Sequence, residues 1–193
     1  YGVFPADDDG ESVWVVSRPH DWRPKNTLEA LLRIDLRSKE LVQEVAIPSH
    51  FTHDAVRQGD KVYVADTGGG GVRELLFPSM RPTGRVASFT VREHVNTIAP
   101  AGDPRHPDAV WALLHNIGSS KLVLVDMATG TRVREFQDVA NKAHGLVPWE
   151  GGFIILNSGE GQLCKFTPPP ESAPSDAKGI LEVLWRDQQK TFM

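Results

Sequence analysis

An all-β fold is predicted by three observations on this sequence. The first is repetition: His53-Asp54-Ala55-Val56, Asn96-Thr97-Ile98-Ala99 and His144-Gly145-Leu146-Val147 align as copies of one segment, 43 and 48 residues apart. The second is strand chemistry. Short runs of β-branched and aromatic residues recur in each copy and end in polar or glycine residues. The third is a set of glycine-rich turns between those runs, where a tight hairpin needs positive φ. A period of roughly 40–50 residues built from short strands is that of a propeller blade. The sequence therefore reads as an all-β β-propeller, with about 3.5 to 4 blades present of a ring of six, or seven.

The elements follow in order. Val13-Trp14-Val15-Val16 is the first strong strand. Thr27 to Leu36 has some helical spacing through Leu28, Leu31 and Leu32, but the blade register claims Leu31 to Asp35 for a strand. Asp35 with Glu44-Val45 matches Asp126 with Glu135-Phe136 at identical spacing, which places a turn at Asp35-Leu36-Arg37-Ser38-Lys39 and another at Asp126-Met127-Ala128-Thr129-Gly130. Lys61-Val62-Tyr63-Val64, Val110-Trp111-Ala112-Leu113-Leu114 and Phe153-Ile154-Ile155-Leu156 are the second strands of the later copies. They are almost continuously apolar, as strands covered on both faces by neighbouring blades must be. Gly68 to Gly71, Gly118-Ser119-Ser120 and Gly159-Glu160-Gly161 turn the chain into the third strands. Two stretches interrupt the pattern, Arg18 to Asn26 and the proline-rich Thr167 to Lys178, and both read as blade-edge loops.

The blades fall at about 1–49, 50–92, 93–140 and 141–190, all within one propeller domain, and the first is expected to be partial and to lack its inner strand. Phe136 precedes His144 by eight residues, and Met193 follows Trp185 by eight, so the sequence stops where a further blade is due. The expectation is a fragment of a longer chain.

Composition narrows the function classes. With 193 residues, 40% hydrophobic, 24% charged and a net charge of −4, the chain has the make-up of a globular domain and no Lys/Arg stripe for nucleic acid. No apolar run approaches the ~18 residues of a membrane helix, no signal pattern opens the chain, and the compartment stays open. Cys164 is the single cysteine, which excludes an internal disulfide and a thiolate metal cluster. It reads as a buried small hydrophobe. The Gly68 to Gly71 run has no Gly-Lys-Ser/Thr sequel, and no Gly-x-Ser-x-Gly elbow is present.

Chemistry is expected at the inner strands, which line a propeller's channel. His53, Asn96 and His144 occupy the anchor position in three successive copies, so radial symmetry would aim them at one axis. Imidazole and amide groups there suit a divalent ion, zinc for histidine or calcium for amide oxygens, or a polar ligand. The competing reading has them bonding strand ends and trapped water. Asp54, beside His53, is a further channel candidate able to orient an imidazole or act as a base. Asp66, Asn116 and Asn157 recur just after the second strand and are expected to cap turns. His50 lies three residues before His53, a weak metal signal on extended chain. His20, His94, His106 and His115 match no repeated position and read as loop or surface residues.

His53-Asp54-Ala55-Val56, then Asp60-Lys61-Val62-Tyr63-Val64-Ala65-Asp66-Thr67-Gly68, then Gly71-Val72-Arg73-Glu74-Leu75 resembles an NHL-type blade. The grammar is also similar to blades of the six-bladed group that holds the senescence-marker/gluconolactonase lactonases and the peptidyl-amidating lyases. That resemblance spans roughly residues 10–190. It implies a channel metal held by His53, Asn96 and His144, although no first-strand glutamate matches the lactonases. Non-enzymatic NHL propellers imply instead a top face that holds protein or other ligands. Two functions are thus expected: a binding propeller offering loops and channel to a protein or small-molecule partner, and a metal-dependent hydrolase or lyase. The former is favoured.

Overall fold

The computed structural model describes residues 2–17, 29–115, 118–174 and 177–187. These fold into four antiparallel sheets of four strands, each sheet a meander in chain order. Blade 1 contains β1 (Val3–Pro5), β2 (Ser12–Ser17), β3 (Glu29–Asp35) and β4 (Leu41–Ile47). Blade 2 contains β5 (Thr52–Gln58), β6 (Lys61–Asp66), β7 (Gly71–Leu76) and β8 (Arg81–Ser88). Blade 3 contains β9 (Val95–Pro100), β10 (Ala109–Leu114), β11 (Ser119–Asp126) and β12 (Thr131–Asn141). Blade 4 contains β13 (Ala143–Trp149), β14 (Gly152–Asn157), β15 (Gln162–Thr167) and β16 (Ile180–Arg186). The inner strands β1, β5, β9 and β13 lie beside one another in that order. The architecture is a β-propeller.

One expectation is corrected: blade 1 does have an inner strand. β1 pairs with β2 through Val3↔Val15, Phe4↔Trp14 and Pro5↔Val13. Three residues ended by a proline and followed by Asp7-Asp8-Asp9 carry too little alternation to register as a strand in sequence. Phe4 nonetheless sinks into the same core as Trp14. Leu31 to Asp35 is extended, as the blade register required. The stretch Arg18 to Asn26 and Asn116 lie outside the described residues.

Stacking supplies the stability. Three apolar cores form, one at each blade–blade interface. Phe4, Trp14, Val16 and Leu31 of blade 1 meet Val62, Val64 and Leu75 of blade 2. Tyr63, Ala65 and Val72 meet Val110, Ala112 and Val123 of blade 3. Trp111, Leu113 and Leu124 meet Phe153, Ile155, Cys164 and Phe166 of blade 4. Alternate residues of one strand point to opposite faces, so β6 feeds two cores at once: Val62 and Val64 go to one side, Tyr63 and Ala65 to the other. This is why the second strands read as unbroken apolar runs. The outward faces of the two terminal blades are covered less. On blade 1, Val13, Val15, Leu32 and Ile34 are half-buried beside exposed Val3. On blade 4, Ile154, Leu156 and Leu163 are half-buried beside exposed Trp185.

The turns between third and fourth strands explain a residue preference. Asp35 Oδ1 accepts the Arg37 and Ser38 amides at 2.9 and 2.6 Å, and Asp126 Oδ1 accepts the Ala128 and Thr129 amides at 2.8 and 3.1 Å. Four residues after each aspartate the backbone turns left-handed, with φ 71° at Gly130 and φ 62° at Lys39. Glycine takes that conformation without the steric cost that Lys39 bears. Lys39→Gly is expected to stabilise the fold by about 1 kcal/mol, read as a raised urea midpoint.

Candidate functional site at the channel mouth

All four histidines of interest gather at one end of the propeller. His53 stands at the start of β5, His94 just before β9, His115 just after β10 and His144 at the start of β13. Because β10 runs antiparallel to β9, the end of one lies beside the start of the other, and the His115 amide donates to the His94 carbonyl at 3.0 Å. The rings form a row. Centroids are 4.9 Å apart for His53–His94, 5.2 Å for His94–His115 and 4.8 Å for His115–His144. Phe51 closes one end, its ring edge-on to His53 at 4.9 Å.

The two anchor imidazoles are held by one repeated device. His53 Nδ1 lies 2.9 Å from Thr67 Oγ1, and His144 Nδ1 lies 2.9 Å from Ser158 Oγ, fourteen residues on in both cases. Thr67 donates its hydroxyl proton to the Val95 carbonyl, so its oxygen is the acceptor towards His53. The Phe51 carbonyl, 3.1 Å from the same nitrogen, can also only accept. His53 therefore carries its proton on Nδ1. Burial lowers the His144 pKa, an effect opposed by a hydrogen bond to the Lys142 backbone.

Local irregularity aims these residues. The β5–β6 register slips between Thr52 and Asp54, making His53 the extra residue of a bulge. The β9–β10 register slips around Asn96 in the same way, and β13 slips between His144 and Val147. Bulges re-aim side chains near sites and break the ladder locally. Asn96 is only 5% exposed. Its Oδ1 accepts from Thr97 Oγ1 at 3.1 Å, while its Nδ2 has no acceptor among the described residues.

Further polar groups stitch the blades together behind the row. Asp54 Oδ2 accepts the Ile98 amide of β9 at 3.0 Å, and Oδ1 accepts the Ala55 amide at 2.9 Å. Burial of that carboxyl raises its pKa to about 6. The Thr52 amide donates to Glu29 Oε2 at 2.7 Å, and the Ala143 amide donates to Ser120 Oγ at 2.8 Å, each partner standing 23 residues earlier on the preceding blade. Asp66 Oδ1 accepts the His50 amide at 2.8 Å and the Gly69 amide at 2.9 Å, and Oδ2 takes Arg73 Nε. Asn157 Oδ1 accepts the Asn141 amide at 2.9 Å, and its Nδ2 donates to Gln162 at 2.9 Å.

Of the expected channel triplet, His53 and His144 stand in the row with His94 and His115 between them. Asn96, the third anchor, is a buried bulge residue bonded to Thr97. Among the described residues no three His, Cys, Asp or Glu side chains are disposed to hold one metal ion. His94 and His115, set aside in sequence because they repeat nothing, are the residues that join the anchors. The signal was there in hairpin logic: residues flanking the paired ends of two antiparallel strands face each other, and these two flank β9 and β10.

No family model matches the chain, and no curated protein matches it in sequence. Solved structures do match in shape. An auxiliary nutrient binding protein from Bacteroides ovatus superposes over 97% of this chain and 42% of its own, with TM-score 0.65 and 12% identity. A protein of unknown function from Bacteroides caccae superposes over 96% of this chain and 66% of its own, with TM-score 0.59 and 16% identity. A 6-phosphogluconolactonase-like protein from Bacteroides uniformis superposes over 95% of this chain and 55% of its own, with TM-score 0.58 and 14% identity. The chain thus spans about half the length of such structures. Likeness at this identity is likeness of fold, and it agrees with the four stacked meanders: the chain is built as a β-propeller.

Proposed function

We propose that this chain is a binding module that takes a small molecule or a protein segment at the channel mouth. The observation that carries the reading is the row of four imidazoles, His53 to His144, backed by Phe51. Tethering of the two anchor rings through Nδ1 presets their orientation, so little side-chain freedom is lost when a ligand arrives. Imidazoles give such a ligand both hydrogen-bond donors and acceptors, and an aromatic edge. The nutrient-binding and lactonase-like names of two structural neighbours are compatible with a small-molecule ligand. On this reading the blades are part of a larger propeller and hold the mouth rigid.

A thermal-shift screen of lactones, sugar phosphates, amino acids, short peptides and divalent cations tests it. At least one compound is expected to raise the wild-type Tm and to lose most of that effect in His94→Ala and His115→Ala. Hits that both variants retain would place binding elsewhere.

The second reading is a divalent-metal hydrolase or lyase working in the channel. It is supported by the Nδ1–H tautomer that Thr67 and Phe51 impose on His53, the tautomer suited to metal ligation through Nε2. Among the described residues no three His, Cys, Asp or Glu side chains are placed to hold one ion, so such a metal would need a ligand of another kind, as Asn96 would be. One tightly held zinc or calcium ion per chain, lost in His53→Ala, would favour it over the first.

A further inference from the structure

The end of the propeller away from the histidines holds a second feature. There, past the last residues of β9 and β13, blades 3 and 4 part to leave an open cleft of about 570 Å³. Its apolar lining includes Trp149, 54% exposed, together with Trp111 and Pro169. Its charged lining residues are Arg134, Glu150 and Glu171.

These charges are already matched. Glu171 pairs with Arg105, and Glu150 lies 3.4 Å from Lys165 Nζ. Arg134 donates to the Pro169 carbonyl at 2.8 Å, and its guanidinium lies 4.9 Å from the Phe136 ring centroid. An ionic ligand would find little uncompensated charge. What the cleft offers is flat apolar surface beside two carboxylates that still have lone pairs to fill and a guanidinium with N–H groups to spare.

We propose that this cleft binds a neutral carbohydrate, independently of the channel mouth. A pyranose has an apolar C–H face to lay on the Trp149 ring. Its rim of hydroxyls can donate to Glu150 and Glu171 and accept from Arg134. The volume lies in the range of small-molecule sites and leaves room for more than one sugar unit. A proline-rich peptide would also stack on tryptophan, but it brings carbonyl acceptors and few N–H donors. It would serve Arg134 and bring neither carboxylate a further donor.

Affinity electrophoresis in gels containing amylopectin, arabinoxylan, laminarin or galactomannan tests the proposal on the full chain. Retardation is expected in at least one gel. Trp149→Ala should weaken it about tenfold or more, as loss of an aromatic anchor does. Glu171→Gln should weaken it to a lesser degree, and His94→Ala should leave it unchanged. Circular dichroism of each variant separates lost binding from lost folding. Migration unaltered in all four gels would overturn the proposal, as would retardation that Trp149→Ala leaves intact. Quenching of tryptophan fluorescence by a decaproline peptide, abolished in Trp149→Ala, would reassign the cleft to peptide and overturn it too.

Discussion

Replacing Asp66 by alanine is expected to destabilise the propeller by about 3–5 kcal/mol, the cost of breaking a buried charge pair. Asp66 is fully buried at the mouth end of blade 2. Its carboxylate holds the amides of His50 and Gly69 and the guanidinium of Arg73. Truncation leaves two backbone donors without their acceptor and Arg73 without its partner. Asparagine should cost less, about 1–2 kcal/mol, because its oxygen keeps the amide bonds. Blade 4 shows the substitution already made: Asn157 accepts the Asn141 amide through the same atom, sixteen residues apart as in Asp66–His50. Urea unfolding of the two variants checks the order. Equal losses for alanine and asparagine would mean that the ion pair, and not the amide capping, carries the effect.

The second large effect is on pH dependence, through Asp54. Burial between β5 and β9 raises its pKa from 3.8 to about 6. The folded state therefore binds more protons than the unfolded chain between those values. Its contribution to stability is greatest below pH 3.8 and is lost as pH rises through about 6. Above that the buried charge costs about 3 kcal/mol relative to the protonated form. Asp54→Asn does not titrate. The stability of this variant relative to wild type should therefore rise by about 2 kcal/mol between roughly pH 4.5 and 7.5, measured by urea midpoints. Parallel pH profiles for the two proteins would show that the carboxyl is not held as described.

Much of the fold was legible because a repeat reports itself several times over. Lys61 to Val64, Val110 to Leu114 and Phe153 to Leu156 all became second strands, since burial on both faces forces the same apolar run in each blade. The first inner strand was not legible, because three residues cannot display a period. The site was half legible. His53 and His144 share a register position, and that position does lie at the mouth. Asn96 shares the position but is a buried bulge residue whose oxygen is occupied by Thr97. His94 and His115 have no counterparts in the other copies. What brings them together is the geometry of one hairpin end, and a repeat alignment is blind to it.

The sharing of cores between blades sets how far a packing defect travels. Blades 2 and 3 each share a core on two sides, whereas blades 1 and 4 have one shared core each among the described residues. A stack in which each unit leans only on its neighbours behaves as a one-dimensional array. The second strands β6 and β10 each send alternate residues into two of these cores, so a packing defect in either strand is felt across two blade–blade seams. His53, His94 and His115 sit on blades 2 and 3, the two that share a core on both sides. A cavity cut in β6 or β10 would therefore disturb the spacing of those three rings from both sides at once.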